Sequence, residues 1–178
     1  MLITYTSRLM RAIALDASVF EEIEHDRGAL AGALATVLLA TFAAGVGAGG
    51  WRGVSLRTFL IFAVIALVSW SVWAVVTLEI GGRVMPEPQT RATYSEMLRP
   101  LGFAAAPGLM MAFAAFPVVT GLVFAVAAVW MLAAMVLAVR QALDYTSTGR
   151  AIAVCVLGWV LALVMSVTLG VLFSQPVF

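Results

Sequence analysis

Apolar residues follow one another in five long stretches that no water-facing helix or strand could carry. They lie at 28–48, 58–80, 101–116, 119–139 and 151–173, parted by short polar pieces. A helix needs about 20 apolar residues to cross the hydrocarbon of a bilayer, so each stretch predicts a crossing. The third and fourth come from one run, Leu101 to Val139, with no charge in 39 residues. We divide it at Pro117, which withdraws a helical hydrogen bond and is followed by Gly121. Backbone groups in lipid must be satisfied within their own segment, and these lengths suit helices rather than barrel strands. The predicted fold is all-α, a polytopic membrane protein with five spans.

The polar pieces carry helix-start signals of their own. Ser18 with Glu21, and Thr93 with Glu96, have the spacing of a capping box, in which hydroxyl and carboxylate satisfy free amides. After Ser18, Val19, Phe20 and Ile23 share one face, opposite Glu21 and Glu24. This predicts an amphipathic helix lying along the cytoplasmic interface. Residues 1–27 thus form an N-terminal cytoplasmic or interfacial segment, and 28–178 the membrane domain. Glu22 and Asp26, at like-charge i,i+4 spacing, read as a solvated acidic face. Met85 to Thr90, with Pro86 and Pro88, is a fixed loop. A second interfacial helix from Thr93 leads into span three, with kinks expected at Pro100 and Pro107.

Composition and charge settle the class and the orientation. Of 178 residues 63% are hydrophobic and 11% charged, whereas a soluble domain has roughly a quarter charged. The ten basic residues are all arginine and the net charge is +1, which leaves no basic footprint for nucleic acid. With five spans and a cytoplasmic N-terminus, Arg8, Arg11, Arg27, Arg83, Arg91, Arg99, Arg140 and Arg150 lie inside, against Arg52 and Arg57 outside. A re-entrant third stretch would move Arg140 and Arg150 outward, so the positive-inside rule favours five crossings. The acids and arginines before Gly28 break up any cleavable signal, so span one is expected to stay as an anchor. The expected location is the bacterial inner membrane.

The candidate chemistry is sparse. Gly45, Gly47 and Gly50 fit a dinucleotide-type pattern but end a membrane helix, where no strand precedes them. Glu22 and His25 have metal-ligand spacing, yet His25 is the sole histidine, and a di-iron bundle needs two such pairs. Cys155, the sole cysteine, sits in an apolar run and reads as an inert thiol. Trp51, Trp70, Trp73, Trp130 and Trp159 read as interface anchors and packing rather than a pigment or quinone pocket. Glu79 is the intramembrane acid, with Arg83 four residues on to pair with it. Gly28, Gly32, Thr36, Ala40 and Ala44 recur every fourth residue, a small-residue ridge that lets another helix approach closely. The expected partner is span two or five, and otherwise a second chain. Arg140, Asp144 and Arg150 mark a cytoplasmic loop between spans four and five, where Asp144 could pair with Arg140 if the helix reached that far. No nucleophile and base can be brought together, so no catalytic residue, metal or cofactor is expected.

Several stretches also resemble a known family. They are Phe20-Glu21-Glu22-Ile23-Glu24-His25-Asp26, then Met97-Leu98-Arg99-Pro100-Leu101-Gly102-Phe103-Ala104-Ala105-Ala106-Pro107, then Arg140-Gln141-Ala142-Leu143-Asp144 with Arg150-Ala151-Ile152 beyond the turn. Together they look like the bacterial branch of the Yip domain family, the Ypt/Rab-interacting membrane proteins. The resemblance implies five membrane helices and a cytoplasmic N-terminus. Eukaryotic relatives act in vesicle traffic, bind prenylated Rab-type GTPases and associate with one another. Those relatives carry a long cytoplasmic region before span one, where this chain has 27 residues. No catalytic residues come with the family.

The function expected from these readings is a non-enzymatic membrane scaffold or accessory subunit. Its partners would be membrane lipids and other integral proteins, such as those of a respiratory or photosynthetic assembly, or further copies of itself. The alternative is a small transporter or lipid-handling protein using Glu79 and the proline-broken spans.

Overall fold

The structure, a computed structural model, describes residues 2–50 and 55–173. All regular structure among these residues is helical. Two short helices, α1 (Leu2–Ile13) and α2 (Ala17–His25), precede the membrane helices α3 (Ala29–Gly49) and α4 (Leu56–Glu79). A π turn, Ile80–Val84, extends α4. Then come α5 (Tyr94–Phe103), a 3-10 segment (Ala106–Ala115), α6 (Thr120–Ala142) and α7 (Thr148–Phe173). Five of these units are long and apolar enough to cross a membrane, the third being Tyr94–Ala115. Trp51 and Arg52, expected at the far loop, lie outside the described residues.

Each boundary has a local cause. Asp16, not Ser18, caps α2: its carboxylate accepts from the Ser18 N–H at 3.0 Å and the Ser18 hydroxyl at 2.7 Å. The expected Ser18–Glu21 box is therefore replaced by a cap two residues earlier, since an aspartate is as good an acceptor and already sits at the turn. The Thr93 start is the expected one, with the Glu96 carboxylate accepting from the Thr93 N–H at 2.8 Å. Helix α1 was not foreseen. Its apolar side, Tyr5, Leu9 and Ile13, packs on the core, and it ends at Leu15 with φ 60°. Trp130 of α6 holds that corner by donating its indole N–H to the Ile13 carbonyl at 2.7 Å.

The third crossing is the axis of the molecule. Two thirds of its apolar window is buried, 67% against 11–33% for the other four. It begins at Tyr94 rather than Leu101, so the expected interfacial helix is its first α-helical half. Pro100 and Pro107 remove two amide donors, and the chain tightens into ten residues of 3-10 helix. Small residues let α3 lie against it. A Cβ at Gly102 would come 2.6 Å from the Ala33 Cβ, and one at Gly47 2.1 Å from the Met111 carbonyl oxygen. Of the ridge, Gly32 and Ala40 meet this third segment, at the Phe103 ring and Gly108, while α3 also packs along α4, span two. Gly32, Thr36 and Ala40 of the ridge face inward, while Gly28 is exposed and Ala44 half-buried. A 3.6-residue helix drifts off a strict four-residue repeat, which is why both ends turn away.

Candidate functional site

Alternating crossings bring the start of α3, the end of α4, the start of α5, the end of α6 and the start of α7 to one end. Helix α2 packs on α5 and α6 at that end, and α1 runs down the side of the bundle, where Tyr5 meets Thr36 and Ile13 meets Trp130 midway along α6. The α1–α2 pair is held by charge. Arg8 reaches Glu22 at 2.8 Å and Asp26 at 2.6 Å, while Arg11 reaches Asp16 at 2.8 Å and Glu22 at 2.7 Å. The Glu22–Asp26 face expected to be solvated is thus neutralised by arginines 11 to 18 residues upstream, which no local spacing rule could reveal. Hydrogen bonds from Arg8 and Arg11 hold the Glu22 carboxyl below the usual range. His25 is turned elsewhere, its Nδ1 bonded with the Glu21 carbonyl at 2.9 Å, so the Glu22–His25 pair shares no ligand position. Among the described residues no three metal-ligating side chains cluster closely enough to hold an ion.

Beneath this pair lie two buried charges. Arg99, 4% exposed, donates to the Glu24 backbone carbonyl and, at 2.9 Å, to the Ser95 carbonyl. Its donors go to these main-chain oxygens and, at 3.4 Å, to the Ser95 hydroxyl, and the Glu24 carboxyl gains no ion pair. Glu24 is 5% exposed and its Oε2 has no hydrogen-bond partner. Burial, with Asp144 adding repulsion, pushes that carboxyl up to about 7.

The loops beside it are joined just as closely. Helix α6 stops at Ala142 and Asp144 turns to φ 52°, so Asp144 leaves the helical face and the conditional Arg140–Asp144 pair does not form. Arg140 Nε donates instead to the Tyr145 carbonyl at 3.3 Å. The Tyr145 hydroxyl sits 2.8 Å from the Gly81 carbonyl and 2.9 Å from that of Met85. Thr90 donates to the Leu143 carbonyl at 2.9 Å. Arg150 pairs with Glu87 at 3.2 Å, and Glu87 also accepts from the Thr146 N–H at 3.0 Å. Gly81 permits this docking, because a Cβ there would lie 2.2 Å from Leu143 Cδ1. Glu79 and Arg83 pair at 2.6 Å on the outer side, both substantially exposed. Neither the cavity between α3 and α4 nor the one lined by Trp70 and Trp73 reaches Glu79.

Sequence reasoning named Arg140, Asp144 and Arg150 but missed Tyr145, Glu87 and the buried Glu24–Arg99 contact. Tyr145 carried one usable signal, an aromatic with a polar tip in a short loop between crossings.

Five apolar helices beneath a polar cap at one end define a multi-pass α-helical membrane protein. Within that class the chain belongs to the Yip1 domain family, whose model matches residues 13–169. No curated protein and no solved structure matches it.

Proposed function

We propose that this chain, from the bacterial branch of its family, is a non-enzymatic scaffold or accessory subunit of the inner membrane. Its polar cap faces the cytoplasm and its partners are other integral membrane proteins. The observation behind this reading is the cap itself. Three stretches far apart in sequence, 17–27, 85–99 and 140–150, are tied by bonds such as Arg99 to the Glu24 carbonyl, Thr90 to Leu143 and Arg150 to Glu87. A surface held in one shape before binding loses little freedom on docking, which favours partner recognition. Arg27, Arg83, Arg91, Arg99, Arg140 and Arg150 fall on the stretches that gather at this end, which supports a cytoplasmic cap. Glu79, paired with Arg83 and away from any described cavity, is read as structural.

Native mass spectrometry of the chain extracted into nanodiscs tests the reading. A stoichiometric companion is expected with the wild type and lost with Glu87→Gln, which loosens the cap. A lone 18.8 kDa species in both would overturn it.

A further inference from the structure

Helices α1 and α2 form a hairpin that runs from the cap into the membrane along the outside of the bundle. Two contacts on α6 fix its tip. Trp130 donates to the Ile13 carbonyl at 2.7 Å, and Leu15 lines a small cavity with Val126, Val129 and Ala133. Trp130 lies nine residues inside Val139, the last apolar residue before Arg140. That is about 13 Å along a helix, nearly half of a hydrocarbon core about 30 Å thick. Long helical side chains lean toward the N-terminus, here the direction away from the cap, so the tip is no shallower than this. Charge goes down with the hairpin. Arg11 pairs with Asp16 at 2.8 Å and with Glu22 at 2.7 Å, and the three side chains are 35%, 38% and 43% exposed. Ser7, Met10, Ala14 and Ser18 are exposed beside them. A charged group facing hydrocarbon is costly, and long side chains usually escape by reaching up to the interface. Arg11 cannot, because Asp16, Glu22 and Ser18 all hold it along the hairpin. The polar interface therefore has to reach down to the charges.

We propose that the outer face of this hairpin is a lipid-headgroup surface. Zwitterionic phospholipid headgroups of the cap-side leaflet, with their water, follow it down and thin the bilayer beside α6. Thinning is an ordinary response of a bilayer to a hydrophobic face shorter than its core. A protein partner fits this face less well. Arg8 and Arg11 are already matched by Asp16, Glu22 and Asp26, so no unpaired charge is left to recognise. Covering the pairs would also take ions out of water, which their mutual attraction repays poorly. A zwitterionic headgroup carries both signs, as the hairpin does, and stays hydrated beside it. The neighbouring surface of α6 is of the opposite kind, with Leu122, Val126 and Val129 exposed and apolar. Acyl chains therefore keep that side, and the headgroups descend on the hairpin alone. This surface lies below the cap, and it does not depend on the scaffold role.

Fluorescence quenching of the full chain in phosphatidylcholine liposomes tests the proposal. With Cys155→Ser as background, a bimane is attached at Ala14→Cys, in the tip, or at Val160→Cys. Val160 is exposed on α7 ten residues past Arg150, about 15 Å along its helix and so at similar depth. One quencher lipid carries a nitroxide on its headgroup, the other at mid-chain. The headgroup quencher is expected to be the stronger at Ala14, and the mid-chain quencher at Val160. Arg11→Leu combined with Asp16→Leu, which leaves Glu22 paired with Arg8, should reverse the order at Ala14 to that of Val160. Stronger mid-chain quenching at Ala14 without that pair of substitutions would put hydrocarbon against the tip. Weak quenching by both lipids would put a protein there, and either result overturns the proposal. An unchanged order in the folded double variant would overturn it too, and if that variant does not fold the two labels still decide. A hairpin swung off the bundle would also meet headgroups, so Leu15→Cys with Val129→Cys is oxidised in the same liposomes. A disulfide between them is expected, and its absence would overturn the proposal.

Discussion

Glu24 behaves unlike the hydrogen-bonded acids around it. Asp16, Glu22, Asp26 and Glu87 are held below their usual range by hydrogen bonds from hydroxyl, guanidinium or amide donors. Glu24 is raised from 4.5 to about 7 by burial, so the folded chain holds its proton more tightly than the unfolded one. Stability from this group is therefore greatest at acid pH, falls between about 4.5 and about 7, and is level above. Glu24→Gln should remove that slope and raise stability at pH 8 by about 3 kcal/mol, read from melting curves across pH. Tyr145→Phe works in the other direction. It leaves the buried Gly81 carbonyl without its donor and should cost about 2 kcal/mol by the same measurement. The helical pattern puts Glu24 on the polar face, where the structure buries it, and Tyr145 carried only its polar-tipped ring as a signal. A glutamate on an amphipathic helix and a tyrosine in a loop are ordinary until the helices that bury them are in place.

Among the elements, α3 and the third crossing depend on backbone contact. Gly47→Ala sets a methyl against the Met111 carbonyl oxygen and should cost about 3 kcal/mol, because main chain cannot step aside. Gly49→Ala, two residues on and with nothing within 4 Å of its Cβ, should change stability by less than about 0.5 kcal/mol. Comparing the two by thermal aggregation in detergent separates packing from helix propensity. The existence of both elements was legible in the apolar runs, and so was the Thr93 start, since caps and length are local properties. The partner of the small-residue ridge was not. Gly32 and Ala40 state that something comes close, and only the fold says that it is the Gly102–Gly108 stretch.

For the whole molecule, the arginine distribution and the cap agree on one polar end, and the side of the membrane it faces can be measured. With Cys155→Ser as background, a cysteine at Val118, 97% exposed between the 3-10 segment and α6, should react with a membrane-impermeant maleimide in intact cells. A cysteine at Gln89, in the cap, should react only after lysis. The reverse pattern would invert the topology.

The buried third crossing also bears on how the protein is made. Its mean hydropathy is 1.3, against 2.0 to 2.7 for the other four, and Arg99 lies within it. As it leaves the ribosome it is the stretch least able to partition into lipid on its own. It packs against α2, α3 and α4, which have already been synthesised, and its far end lies between α3 and α6, the second of which has not. We expect a chain truncated after residue 117 to be extracted from the membrane by alkali, and one that includes α6 to resist it.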